Sequence, residues 1–572
     1  MKRILVILSV LSALAAVVSC KQEQIAGKVI LVSSLSLDPS SASMTVGDEI
    51  WLDVNYAPAD ATETDFVWTS TDEAVATVDS EGMVTAVGKG NARIRVSTHD
   101  GRVGASCYLV VVEEGETPPD PPENPDTPDN PDNPDTPGTR VRWADTGADV
   151  PAYPSYTAVS TYQDFPRVDI SVSGSIKKDV YIEGTVRFTD PKSMYKDAGD
   201  TDYTTDSGAL PMQIRGRGNS TWDYAEGGKK PYRIKLNTAT KVFGMGNDKD
   251  WVLLADSMDP SQMRNILAQR IAKVISMDFA PRFRTVELYL NNSYAGTYTL
   301  IEQKETGLGH KVFVTPVDPA SSETDGGYFV ELDEKGDDPV SFTSSTFRRK
   351  FNFKEPENPN SAQQAFFQQL INDTETAMKS KNWTRVHELI EMDTWIQNYI
   401  IQEIAMNVDG NMRLSTYFAK DKDTKLYMPM VWDFDLAFNN ASYLVNFISG
   451  SSRDNLYSKW FIKTCGGGQN NPTEQTYYQY LFQDPAFVSR LKELWNLYYP
   501  RLQVIDNVYI DKMKEFNAPA FKHATDQGKN PRVRSYSVDN KDFFRTYEDA
   551  ISYMHTFYTQ RLSWLNTNIN NL

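Results

Sequence analysis

The sequence predicts a multidomain chain: an all-β sandwich, then a larger α+β domain with a cleft between two lobes. Three observations carry this reading. Residues 28–113 break into short β-branched and aromatic runs separated by turn residues. Residues 114–140 are a string rich in proline and aspartate. Residues 141–572 begin with strand-like runs and end in helical periodicity, which is the order of an α+β fold. At 572 residues the chain is too long for one core, and 40% hydrophobic with 12% aromatic content is ample for more than one.

The first twenty residues set the expected compartment. A basic Met-Lys-Arg start leads into ILVILSVLSALAAV, an apolar stretch too short to remain as a spanning helix. It ends in VVSC, where small residues precede Cys20. That ending resembles a bacterial lipobox, so residues 1–20 are expected to be a lipoprotein signal peptide, with cleavage before Cys20 and lipidation of its thiol. Lipid chains on one residue anchor a protein without spanning the membrane. Lys21 is not the aspartate that favours inner-membrane retention, which points to the outer membrane of a Gram-negative cell envelope.

Charge and cysteine usage exclude other classes. The net charge of −18 argues against nucleic acid as a partner, because phosphate-backbone binding needs a basic surface. Residues 113–139 alone hold nine acids and no base. Cys107 and Cys465 are too far apart in sequence to suggest a disulfide framework, and the five histidines show no zinc-ligand spacing. HExxH and GxSxG are absent, so metalloprotease and serine-hydrolase readings lose their usual support.

In the β-rich segment, VGDEIWLDV, FVWTSTDEAVATVDSEGMVTAVGKGNARIRV and CYLVVV together resemble the bacterial immunoglobulin-like domain, group 2. The resemblance implies a core role for Trp68 and a spacer or adhesive module. The string that follows, TPPDPPENPDTPDNPDNPDTPG, favours extended polyproline II at about 3.1 Å per residue, kept in water by its acids, and reads as a stalk.

The large domain opens with the strand-like runs PRVDISVSG, DVYIEGTVRF, MQIRGRGNSTW and KPYRIKLN. PSQMRNILAQRIAKVI predicts a helix with Ser261 in its cap region, and FRTVELYLNNSYAGTYTLIEQ predicts a hairpin turning at NNSYAG. From residue 361 four long helices are expected. The aromatic runs TYYQYLFQ and LWNLYY have helical spacing, which assigns them to packing before ligand binding.

Three stretches carry chemistry. RGRGNSTW, residues 215–222, is a glycine-rich turn with two arginines; freed backbone amides and arginine can cradle phosphates, although a plain hairpin has the same look. KKPYRIKLN, residues 229–237, places Arg233 and Lys235 on one strand face, where a kinase-like order puts a phosphate-pairing lysine. The third stretch is NVDGNMRLSTYFAKDKDTKLYMPMVWDFDLAF, residues 407–438. Asp409 lies just past a helix ending near Met406, in the kind of loop where an aspartate accepts a proton from an attacking hydroxyl. Asp433 and Asp435, two apart at the end of an expected strand, face one side and suit Mg²⁺. Turn capping or pairing with Arg413 is the alternative.

With PRVDISV, QIRGRGNSTW, KPYRIKLN, DWVLLADSMDPSQMRNILAQRIAK, VELYLNNSYAGTYTLIEQ, GGYFVELD, NVDGN and PMVWDFDLAF in this order, the large domain resembles the CotH family of atypical, secretory-pathway-type protein kinases. The resemblance implies a bilobal protein-kinase-like fold: an N-lobe sheet, a helical C-lobe, and ATP with Mg²⁺ or Mn²⁺ between them. It implies transfer of the γ-phosphoryl group to a protein serine or threonine. Carried over by motif, Lys235 would contact phosphate, Asp409 would be the catalytic base and Asp433 the main metal ligand, with Asp435 as a second carboxylate. Arg217 and Asn219 would lie over the phosphates. Glu302 would fall near the cleft, paired with a base or close to the nucleotide. Asn411 stands where the family often has an acid and would serve as a neutral ligand. Leu414 and Ser415 stand where it tends to have Asn or His. The alternative function is a surface adhesin or scaffold with a catalytically weak or inactive kinase-like head.

Overall fold

The structure is a computed structural model. It describes residues 157–572 apart from 197–199, 201, 224–228, 308–310, 313, 337, 423, 467–473 and 530–545, and most of residues 32–113. Cys20, the signal segment and the linker 114–140 lie outside the described residues.

The N-terminal unit is all-β: β1 (Ser34–Asp38), β2 (Ser41–Thr45), β3 (Glu49–Trp51), β4 (Asp53–Ala57), β5 (Phe66–Ser70), β6 (Ala76–Val78), β7 (Met83–Ala86), β8 (Gly90–Thr98) and β9 (Gly104–Val112). One sheet runs β2-β9-β8-β5 and another β3-β7-β6, with β1 paired to β4. Strand alternation builds the core: Ala92, Ile94 and Val96 point inward from β8 while Arg93 and Arg95 do not. Cys107 is buried on β9, and Trp68 packs against this core while only partly buried.

The second unit starts with β10 (Arg167–Val172), β11 (Ile182–Thr189), β12 (Leu210–Gly216), β13 (Tyr232–Lys241), β14 (Asn247–Leu254), β15 (Phe283–Leu290) and β16 (Ser293–Glu302). They close into a barrel in the order β10-β11-β12-β13-β14-β16-β15. All neighbouring pairs are antiparallel except the closing one, where β10 lies parallel to β15 with Val168 opposite Leu288. The β15–β16 hairpin turns on Asn291 and Asn292 at φ 46° and 64°, the left-handed pair that matches strand twist. Ile170, Val186, Ile214, Ile234, Trp251 and Leu300 fill the barrel. Where an N-lobe sheet was expected, the β-rich half has thus closed on itself, because β10 supplies a partner for the edge that β15 would leave open.

A single helical turn, Ser220–Asp223, follows β12, and α1 (Arg264–Val274) separates β14 from β15. Ile266, Leu267 and Ile271 of α1 are fully buried, worth roughly 1.5–3 kcal/mol each. Asp259 caps α1 more than Ser261 does: its carboxylate accepts from the N–H groups of Met263 and Arg264 at 3.0 and 2.9 Å.

The remainder is helical around a small sheet. β17 (Tyr328–Leu332), β18 (Ser341–Thr343), β19 (Lys350–Glu355) and β20 (Thr416–Lys420) pair in the order β18-β19-β17-β20. Around them lie α2 (Ser361–Lys379), α3 (Trp383–Leu389), α4 (Met392–Ala405), α5 (Tyr477–Leu481), α6 (Pro485–Val504), α7 (Ile510–Asp526) and α8 (Tyr547–Asn570). Tyr477, Tyr478, Trp495 and Tyr498 are buried in this core, so the aromatic runs pack the interior. α7 returns to the barrel, contributing Phe516 and Ala520 to its core. No helix among the described residues is long and apolar enough to cross a membrane.

One expected strand is missing. Residues 426–435 make only isolated bridges, Ile390 with Leu426, Ala419 with Tyr427 and Thr416 with Val431. Pro429 brings no N–H to a ladder, and Asp433 has a left-handed φ of 69°. The two aspartates therefore do not share a face by strand alternation.

Candidate functional site

A cavity of about 170 Å³ opens where the barrel meets the small sheet. The barrel side contributes Arg217 and Asn219 after β12, Asp256 after β14 and Lys304 after β16. The helical side contributes Asp409, Ser415, Asp433 and Asp435, with Asp333 and Lys335 from the turn after β17. Ser415, Asp433 and Asp256 all hold positive φ, at 46°, 69° and 47°. Strained non-glycine backbone of this kind gathers at functional sites because surrounding contacts must hold it.

Asp409 is placed by the end of α4. Met406 terminates that helix at φ 46°, and Asn407 then bridges two loops: its Oδ1 accepts from the Asp409 N–H at 3.3 Å and its Nδ2 donates to the Asp433 carbonyl at 3.1 Å. Arg413 approaches the Asp409 carboxylate at 3.8 Å while pairing with Glu334 at 3.2 Å. Burial, then the charge of Asp433, pushes Asp409 up to about 6. Burial also raises Asp433, against the pull of Arg217. Asp435 is raised well above the usual carboxylate range by burial and by Asp433, Asp409 and Asp256.

Opposite the acids stand cations. Arg217 lies 5.8 Å from the Trp432 ring centroid, and burial lowers its proton affinity while leaving a guanidinium charged. Lys304 lies 5.5 Å from the same ring, hydrogen bonds to the Tyr417 hydroxyl and stands 3.6 Å from Glu331. Burial pushes its ammonium down to about 8, with Glu331 opposing. Gly218, at φ 80°, lets the Arg217–Asn219 loop turn back toward β13.

Not every residue singled out in the sequence comes to this cavity. Lys235 is exposed on the outer barrel wall, opposite Asp250 in register, and is not among the lining residues. Its face-mate Arg233 is taken up by Asp250 and Glu305, at 2.8 and 3.0 Å. The lysines that line the cavity are Lys304 and Lys335, and the charges of both favour an ionised Asp433. Glu302 pairs with Arg282 at 2.7 Å, outside the cavity lining. Asn411 is buried with its amide donating to the Cys465 carbonyl, also outside the lining. Arg217, Asn219, Asp409, Asp433 and Asp435 do converge, and Asn219 accepts from Lys178 at 2.8 Å. Lys304 and Asp256 carry no local motif. Each lies just beyond a strand end, where a barrel brings loops together.

The donor set fits a divalent cation bound with phosphate. Among the described residues no hydrogen bond reaches the Asp433 or Asp435 carboxylate, and Arg217 and Lys304 offset the Asp433 charge only from a distance. No set of three His, Cys, Asp or Glu groups among the described residues is disposed to hold a metal by itself. Mg²⁺ commonly takes one or two carboxylates and fills its shell with water and phosphate oxygens, which matches this supply.

The comparisons with known proteins agree with the architecture. The family model for CotH kinase protein matches residues 214–565, more than half of the chain, and the chain belongs to that family. The bacterial Ig-like domain (group 2) matches residues 31–108. An A type blood N-acetyl-alpha-D-galactosamine deacetylase of Flavonifractor plautii is 39% identical over 85 residues, 15% of this chain and 11% of that protein. A lacto-N-biosidase of Bifidobacterium bifidum is 36% identical over 89 residues, 16% of this chain and 8% of that protein. The chain thus spans about a tenth of the length of these curated relatives. Among solved structures, S-layer protein SbsC domains 5–6 align over 36% of this chain and 92% of that chain at 13% identity, with a TM-score of 0.13. A likeness that low carries no argument.

Proposed function

We propose that the cavity binds ATP with Mg²⁺ or Mn²⁺ and transfers the γ-phosphoryl group to a serine or threonine hydroxyl of a protein. The observation that carries this is the convergence of Asp409, Asp433 and Asp435 with Arg217 and Lys304 in one cavity of a CotH-family chain. Asp433 and Asp435 would hold the cation, which supplies neutralisation of phosphate charge. Arg217 and Lys304 would meet the phosphate oxygens, with Glu331 orienting the Lys304 ammonium. Asp409 accepts the hydroxyl proton as the new P–O bond forms and ADP departs. At about 170 Å³ the cavity would take the phosphate end of a nucleotide rather than the whole molecule.

A kinase-like bilobal arrangement of barrel and helical half belongs to the same reading, as does export with a lipid anchor at Cys20 and a stalk beneath the domain. Labelled ATP with Mg²⁺ or Mn²⁺ and a generic acceptor protein tests the activity, with Asp409→Ala and Asp433→Ala alongside. Transfer by wild type that both variants abolish supports the reading. No transfer, and no thermal stabilisation at millimolar ATP with cation, overturns it. The Ig-like module favours a second reading, a surface-presented binding head, which that negative result would promote.

A further inference from the structure

One wall of the cavity holds the acidic segment by its backbone. Three polar side chains of α1 grip it in turn. Gln269 Nε2 donates to the Val431 carbonyl at 3.1 Å, Asn265 Oδ1 accepts from the Phe434 N–H at 2.8 Å, and Arg264 Nε donates to the Ala437 carbonyl at 3.0 Å. The contacts fall every third residue along the segment and run antiparallel to the helix. Asn440 adds a tie in the other direction, donating to the Met258 carbonyl at 2.9 Å.

Asn265 is the contact that faces both ways. Its Nδ2 donates to Asp256 at 3.0 Å, and the other Asp256 oxygen accepts from Thr299 at 2.8 Å. The orientation of the amide follows from its partners, since a backbone N–H only donates and a carboxylate only accepts. The Phe434 N–H belongs to the peptide that follows Asp433, whose left-handed backbone sets the direction of that peptide. Fixing this one group fixes the turn between Asp433 and Asp435.

We infer that Asn265 is a positioning residue for the cation-binding carboxylates, holding Phe434 so that Asp433 and Asp435 both face the cavity. The inference rests on the proposed cation and nucleotide site. Asn265→Asp keeps an acceptor for the Phe434 N–H but sets a carboxylate against Asp256. The swap Asn265→Asp with Asp256→Asn restores a donor and acceptor between the two positions at unchanged charge.

The test is Mn²⁺-dependent thermal stabilisation of the full chain in the presence of a non-hydrolysable ATP analogue, for wild type, Asn265→Asp, Asn265→Ala and the swap. The Mn²⁺ concentration at half-effect is expected to rise about tenfold or more in both single variants, as for other residues that orient metal ligands. The swap is expected to bring it back toward wild type. If Asn265→Asp does not fold, Asn265→Ala carries the same comparison. An unchanged Mn²⁺ midpoint in a single variant, with wild type responding, overturns the inference and leaves the site intact. A lower melting temperature of the ligand-free protein without a midpoint change makes Asn265 a stability residue only, and also overturns it. No response of wild type to Mn²⁺ and analogue overturns the site reading itself, and this inference with it.

Discussion

The Lys304 ammonium stands 3.6 Å from the Glu331 carboxylate, and Glu331 also holds Lys354 at 2.6 Å. Glu331 is thereby kept ionised in a buried place, and Lys304 is steered past Trp432 toward the acids. Lys304→Met is expected to weaken nucleotide-dependent stabilisation at least about tenfold, because a charge-assisted contact to phosphate is lost. Lys235→Met, on the outer wall, is expected to leave it unchanged. Thermal shift with ATP and Mg²⁺ on the two variants decides between the lysines.

Asp409 gives a pH signature with two opposite signs. Its folded pKa of about 6 lies above the ordinary aspartate value, so between about pH 4 and 6 the folded state binds more protons than the unfolded one. Stability of the ligand-free protein should fall as pH rises through that window, by at most about 3 kcal/mol from this group. Asp409→Asn should flatten the fall. Phosphoryl transfer should move the other way, rising as Asp409 loses its proton. Denaturant melts of ligand-free wild type and Asp409→Asn at several pH values check the first half. A pH profile of transfer checks the second.

Asp435 is 6% exposed, and burial first, then the like charges of Asp433, Asp409 and Asp256, disfavours its ionised form. Asp435→Asn should therefore stabilise the ligand-free protein by roughly 1–2 kcal/mol while abolishing its stabilisation by cation and nucleotide. Equal melting temperatures with and without ligand, both above ligand-free wild type, would be the signature.

Gly410 lies against the Gln402 side chain, and a Cβ there would come within 2.4 Å of both amide atoms of that buried residue. Gly410→Ala should push the Asp409 loop outward, costing about 1–3 kcal/mol and most of the transfer activity. Gln402→Ala in the same chain makes room and should restore stability. Urea midpoints of the single and double variants measure this.

The long elements were mostly legible because their periodicities are strong: the hairpin at Asn291–Asn292 and the four helices α2, α4, α6 and α8 follow directly from pattern, whereas α7 was not foreseen. The acids were legible as a pair beside apolar runs. The lysine was not. An order of motifs borrowed from kinases pointed at Lys235, but barrel curvature turns the Arg233–Lys235 face outward to Asp250 and Glu305. Lys304 has no local signal, since its partner Glu331 arrives through the pairing of another sheet. The strand expected at 426–435 fails because Pro429 and the left-handed Asp433 break it. Arg264, Asn265 and Gln269 had no signal of their own, because the same helix also carries Arg270 and Lys273 and only tertiary contact tells these polar residues apart.

The parallel pair of β10 with β15 has a practical consequence for dissecting the protein. The family match begins at residue 214, inside β12, yet the barrel closes only through β10 and β11 upstream. A fragment cut at the family boundary would leave β13 only the Ile214–Gly216 end of its partner and would strip β10 from β15 altogether. Two unprotected strand edges invite intermolecular ladders, so such a fragment would aggregate, whereas one begun ahead of Arg167 keeps the ring of hydrogen bonds whole.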